Sequence, residues 1–232
     1  MAKRKLPNFK KYDELYAELG IDTERDFRST ARLLGMPNQE YMIWCDDHRS
    51  DYEESNIRIP TEGRSRIVVL EVDFRQGGRE SLRCLRQLHG QLPYTPIART
   101  GSVGHHIYLV NPFGFPLPSI PALWTGVNFI GHGGSVLAPP SILPDTGEGC
   151  SWRKDRHIKD VAMAEVTDWL LEAILVRELS VLKERFDPER PAEQFCDRLK
   201  AGLPRLLGYQ RAARAKPGVN DFLYAIYKIA CL

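Results

Sequence analysis

The stretch RIVVLEVD, Arg66–Asp73, constrains this chain more than any other. Its apolar half reads as a mostly buried strand, yet the strand finishes on two acids, Glu71 and Asp73. Side chains alternate along a strand, so positions 71 and 73 share a face and bring two carboxylates into one small volume. Such a pair is costly unless something positive sits between the charges, and a divalent metal ion is the usual solution. Gly77 and Gly78 come next, where the backbone can turn sharply away. Two unrelated surface acids at a solvated strand end are the plain alternative for this stretch taken alone.

Downstream, ESLRCLRQL (80–88) sets Leu82, Leu85 and Leu88 on one helical stripe, and GHHIYLV (104–110) returns to strand. Upstream, residues 8–19 and 23–34 are predicted to form two short helices, with Gly20 and Gly35 as their stops. YMIWC (41–45) is a candidate strand, 46–55 a polar loop, and NIRIPTEG an extended segment joined by a turn to RSRIVVLEVD. Pro112, Pro116, Pro118 and Pro121 predict loop over 111–125, while GVNFIG and GSVLAPPS predict two more short strands around Gly131–Gly134. A long amphipathic run from Asp160 to Phe186 predicts helix, and Pro188, Pro191 and Pro204 break the later helices. The expected fold class is α+β over 1–158, followed by a helical region over 159–232.

The 232 residues suffice for one large domain or a domain with a helical appendage. A content of 43% hydrophobic and 27% charged residues is ordinary for a globular chain, and no run of 18 apolar residues predicts a membrane span. The basic start MAKRKLPNFKK has no apolar stretch behind it and does not read as a secretory signal. Cys45, Cys84, Cys150, Cys196 and Cys231 are scattered without a CxxC pair, which argues against a zinc module or a disulfide framework and for a reducing compartment. The net charge of +2 decides nothing, but basic clusters at 3–5, 153–156 and 211–216 suit phosphate binding as well as ordinary solvated helix faces.

In RTGSVGHHIYLV (99–110), the turn Ser102–Gly104 can expose backbone N–H groups that cradle phosphate oxygens. Along the strand His106 and Tyr108 take one face and Ile107 and Leu109 the other. His106 is thus placed to donate to a bound phosphate, whereas His105 looks the opposite way and is assigned no chemistry. In GVNFIGHGGSVLAPPS (126–141), two prolines and Ser141 after an apolar strand fix an irregular backbone suited to a ligand wall, or simply a rigid exit from a glycine-rich hairpin.

Taken in order, NIRIPTEGRSRIVVLEVDFRQGG, TGSVGHHIYL and GVNFIGHGGSVLAPPS resemble the primase–polymerase domain of the archaeo-eukaryotic primase superfamily, over Asn56 to Trp152. The ending KPGVNDFLYAIYKIACL is similar to the helical region that often comes after it, which suggests a piece of a longer replication protein, with a short natural protein as the alternative. The resemblance implies an RRM-like catalytic sheet with flanking helices that carries out template-directed nucleotidyl transfer, making or extending primers on single-stranded DNA. It implies Glu71 and Asp73 as catalytic carboxylates holding two divalent ions, Mg2+ or Mn2+. It implies Ser102, Gly104, His106 and Ser141 as nucleotide-binding, His106 also as catalytic, and Asn128 at the place of a third metal-binding aspartate. Arg153, Lys154 and Arg156, just after APPS, are the candidate DNA contacts. The implied partners are a single-stranded template or primer–template, nucleoside triphosphates, and a helicase in the same or a separate chain; the implied setting is a prokaryotic cytoplasm with plasmid- or phage-type replication.

Three departures accompany the resemblance. Glu71 stands for the more usual aspartate, Val103 for a glycine, and Asn128 for an anionic ligand. The last removes one of three negative charges, so a weakened or inactive DNA- or nucleotide-binding relative is the alternative reading, as is an asparagine introduced to trap a complex. A metal-dependent nuclease ranks last, because it leaves the Ser-x-Gly-x-His turn without a role.

Overall fold

The computed structural model describes residues 6–37, 39, 40, 43, 54–61, 63–112, 116–174 and 177. The chain divides into two compact units, Met1–Asn111 with Pro118–Glu165, and Pro112–Leu117 with Val166–Leu232. In the second, residues 168–174 are helical.

The first unit is mixed α and β, with two sheets. The larger runs β6 (Ile120–Trp124), β7 (Val127–Ile130), β3 (Ile67–Asp73), β5 (Gly104–Val110), β4 (Ile97–Thr100), β9 (Ser151–Trp152), each pair antiparallel. A short β10 (Ala164–Glu165) lies parallel to β5 and carries this unit to Glu165. The smaller sheet is β1 (Glu24–Arg25), β2 (Ile57–Pro60), β8 (Ser135–Leu137).

β3 is central, which is why four consecutive apolar residues, Ile67 to Leu70, are all fully buried. On one face Ile67 and Val69 join Tyr108 and Ala98 of the same sheet, Ile57, Ile59 and Val136 of the smaller sheet, and Tyr16 of α1 (Phe9–Ala17). On its other side β3 packs against α3 (Gly78–His89), whose Leu82 and Leu85 are buried. Asn8 caps α1 by accepting from the Lys11 N–H, and Asp26 caps α2 (Phe27–Leu34) by accepting from Ser29. Gly35 ends α2 in the left-handed conformation, as its position in the sequence predicts.

Two buried polar side chains join the smaller sheet to the segment after it. The Asn56 amide donates to Ile142 O and accepts from Ile142 N, at 2.7 and 2.8 Å. The Ser141 hydroxyl donates to Ile57 O at 3.1 Å and accepts from Ile57 N at 2.8 Å.

Several expectations are corrected. Leu88 is 76% exposed, so the helical stripe ends at Leu85. Pro121 lies inside β6 and not in a loop, tolerated because β6 is an edge strand with one row of unpaired backbone groups. β7 and β8, contiguous in sequence, enter different sheets. The helix expected from Asp160 begins at 168, after the strand pairing of 164–165. The candidate strand 41–45 lies outside the described residues apart from Ile43, which is helical; the basic clusters at 3–5 and 211–216 and the terminal stretch also lie outside them. Among the described residues no helix is long and apolar enough to cross a membrane.

Candidate active site at the end of β3

Antiparallel pairing sets one row of side chains across the sheet at the level of Glu71. Its register partner on β5 is His106 and on β7 Asn128, and the row continues from His106 to Ala98 and then Trp152. Directly paired residues put their side chains on the same face, so Glu71 is flanked on both sides. The Asn128 amide nitrogen donates to Glu71 Oε2 at 2.8 Å, and His106 Nε2 lies 3.5 Å from Glu71 Oε1, at the outer limit of a hydrogen bond.

These neighbours decide the charge of Glu71. The contact from His106 lowers its pKa below the ordinary 4.5, partial burial opposes this, and the Asn128 amide lowers it further. The side chain keeps 38% of its surface exposed, against 7% for His106. Glu71 is therefore an ionised carboxylate open to a ligand, while His106 is set beneath it, its Nδ1 buried without a partner among the described residues.

Asp73 is half-buried like Glu71, and Val72 between them is buried, so the expected alternation holds. The Asp73 carboxylate accepts from the Arg75 N–H at 2.8 Å and caps the 3-10 turn Phe74–Gln76. Gly78 is obligatory for that turn: a Cβ there would stand 2.5 Å from Gly126 O and 2.7 Å from Asp73 O. Beside this end of β3, Gly104 opens β5 opposite Asp73, where a Cβ would collide with Val72 O. Val103 takes φ +65, a left-handed conformation unusual for a β-branched residue. The Ser102 hydroxyl is 3.0 Å from that of Thr100.

The structure brings Glu71, His106 and Asn128 into contact and places Asp73 and Gly104 at a neighbouring register level. Ser102 lies in the turn just before Gly104, and the remaining candidates are placed elsewhere. Ser141 is fully buried, with its hydroxyl taken at both ends by Ile57. Arg153, Lys154 and Arg156 come after β9, three strands from β3 in the sheet order. There Arg153 forms a two-pronged pair with Asp155 at 3.0 and 2.7 Å, and Arg156 lies 4.0 Å over the Tyr94 ring while donating to Pro93 O. Sequence reasoning missed Ala122, whose N–H donates to Asn128 Oδ1 at 2.8 Å from a bulged point of β6. No signal in the sequence marks it, because the contact is made by backbone.

Whether these residues suit a divalent ion depends on their donors. Glu71 and Asp73 offer two hard carboxylates, which suit an ion that arrives on the phosphates of a ligand. Asn128 turns its oxygen to Ala122 and its N–H to Glu71, so it presents a donor, not a ligand atom, to the carboxylate. Among the described residues no group of three or more His, Cys, Asp or Glu is placed to hold a metal. The set thus offers two protein carboxylates to an ion, and Asn128 adds no anion to them.

The site is thus a central strand that ends in paired acids, beside a glycine-lined turn and a buried histidine. Residues 29–169 match the family model described as bifunctional DNA primase/polymerase, N-terminal, and the chain belongs to this family. The match spans β2 to β10 and thus the whole of the row at Glu71. No curated protein matches the chain.

Proposed function

We propose that this chain performs template-directed nucleotidyl transfer on single-stranded DNA, making or extending a primer from nucleoside triphosphates. The observation that carries this is the row Asn128–Glu71–His106 with Asp73 two residues on, within the segment matched by the primase/polymerase family. The strand order β7–β3–β5–β4, with α3 crossing between β3 and β4, supports an RRM-like reading of the catalytic core.

Glu71 and Asp73 would hold Mg2+ or Mn2+ together with the triphosphate. Such an ion, when bound, neutralises phosphate charge and favours ionisation of the primer 3′ hydroxyl. Asn128 fixes Glu71 by its N–H and, after the larger effect of His106, helps to lower its pKa. His106, buried under Glu71 with Nε2 turned to its Oε1, orients that carboxylate towards a ligand entering above the sheet. The turn Gly101–Val103 brings backbone N–H groups to the same end of β5. A two-ion form of the mechanism needs one further anion, which the incoming triphosphate is suited to provide. The catalytic domain, expected to end at 158, is taken to extend to Glu165, where β10 closes on β5.

A second reading, a nucleotide- or DNA-binding relative without turnover, is favoured by the Asn128 amide alone. One experiment separates the two. The chain is incubated with a labelled primer–template, nucleoside triphosphates and Mg2+ or Mn2+. Longer strands are expected, and Glu71→Gln or Asp73→Asn should reduce incorporation at least about 100-fold with DNA binding kept. Unextended strands with the parent would reject catalysis, and a parent-like rate in either variant would reject the carboxylate assignment.

A further inference from the structure

The face of the sheet opposite Glu71 carries a second constellation. His105 on β5 and Arg99 on β4 are register partners and therefore share that face. Phe74 meets His105 edge-on, with ring centroids 4.8 Å apart, and the Arg79 guanidinium lies 4.7 Å over the same Phe74 ring. Arg83 and Arg86 succeed Arg79 on α3 at i+4 and i+7, along one side of the helix. Arg79, Arg83, Arg86 and Arg99 are all exposed. Among the described residues none of these four is paired with a carboxylate, in contrast to Arg32, Arg58 and Arg153.

The charges act on a common point. Burial first, then Arg153, Arg99, Arg79 and Arg86, hold the His105 pKa down to about 4. Cations gathered without counter-charges repel one another, and a polyanion relieves the repulsion. The arginine–phenylalanine–histidine stack adds flat surfaces, which unpaired bases use and the interior of a duplex does not.

We propose that the Arg79–Arg83–Arg86 side of α3, with Arg99 and the Phe74–His105 pair, is a binding track for single-stranded DNA, separate from the carboxylate site on the opposite face. It rests on the reading of the chain as a primase–polymerase and names where a template strand is gripped. Arginines at helical spacing track the phosphates, and Phe74 and His105 supply the aromatic contact. The chain then holds template on one face while nucleotide chemistry takes place on the other, around the strand end where Asp73 and Phe74 are adjacent.

The test measures binding of a fluorescein-labelled oligo(dT) to the intact chain by anisotropy over a range of NaCl concentrations, with no nucleotide or metal. The triple variant Arg79→Gln, Arg83→Gln, Arg86→Gln should bind at least about tenfold more weakly. The slope of log affinity against log salt should shrink by roughly 2, at about 0.7 for each of the three phosphate contacts removed. The matching triple lysine variant should restore the slope, and Phe74→Ala should weaken binding with the slope unchanged. An unaltered affinity and slope in the glutamine variant, with its circular dichroism intact, would overturn the proposal. So would a parent that binds heparin or blunt duplex as tightly as oligo(dT). Primer extension by the parent is scored separately, so loss of the catalytic reading and loss of the track give different results.

Discussion

Asn128 joins two strands to Glu71, and the effect of Asn128→Asp can be worked from its hydrogen bonds. An aspartate there would keep the acceptor for Ala122 N–H but lose the N–H that reaches Glu71 Oε2 at 2.8 Å. A hydrogen bond to a charged group contributes about 1.5–3 kcal/mol. In its place two carboxylates would face each other, a repulsion of ~4 kcal/mol at about 4 Å and an effective dielectric of about 20. With 38% of the Glu71 side chain exposed, solvent and salt screen this to ~1 kcal/mol. The expected loss is about 3 kcal/mol without metal near pH 7, or roughly 6–12 °C in Tm for a unit of this size.

The pH dependence separates this from a generic packing defect. In the parent the Glu71 pKa is lowered, so its contribution is present above the ordinary 4.5 and is lost as pH falls through the depressed value. In Asn128→Asp the pair shares a raised pKa, so the variant gains stability relative to the parent as pH falls towards about 5. Mg2+ should close the gap near pH 7, because the added anion binds a hard cation better than an amide does. Thermal melts monitored by circular dichroism near pH 7 and pH 5, with chelator and with Mg2+, give all four values. Equal melting of the two proteins near pH 7 in chelator would show that Asn128 does not hold Glu71 as described.

Ser141→Ala should destabilise the chain by about 2–3 kcal/mol, since both Ile57 backbone groups lose a buried partner, and should leave triphosphate affinity unchanged; denaturant melts and nucleotide titration check the two halves. His105 is held down to about 4 by burial and its arginines, so between 6.5 and about 4 the unfolded chain binds a proton that the folded chain does not. Stability should therefore fall as pH drops through that window, and His105→Phe should flatten the fall in urea melts taken at successive pH values.

The central strands were legible because their signals are local. The apolar run into Glu71 and Asp73 and the alternation of His106 and Tyr108 predicted β3 and β5 with nearly their observed bounds. The paired acids and the helix after Gly77–Gly78 come from the same periodicities. Features that depend on pairing across the chain were not legible. Pro121 fits a strand only because β6 is an edge, and β8 leaves β7 for another sheet only because β2 is there to receive it. Ser141 lies in a motif that resembles a nucleotide wall, yet its hydroxyl is consumed 84 residues away along the chain, at Ile57. Motif order indicates which segments meet; it does not indicate which side chains remain free.

The two departures at the site, Glu71 and Asn128, prove to be one feature. They are register partners and hydrogen-bonded to each other. An amide donor beside a carboxylate removes the repulsion that a third acid would create and holds the longer glutamate side chain towards β7, with His106 on its other side. Neighbouring strands stand about 4.8 Å apart, a span that the extra methylene of glutamate helps to bridge. The arrangement exchanges anionic charge for a preset carboxylate, and the proposed mechanism therefore predicts a metal affinity that depends more on the phosphates of the incoming nucleotide than on protein ligands. On the proposed mechanism the ion arrives with the nucleotide, and a Mg2+ titration without nucleotide should show weak binding, for the same reason that Glu71 is stable without a metal.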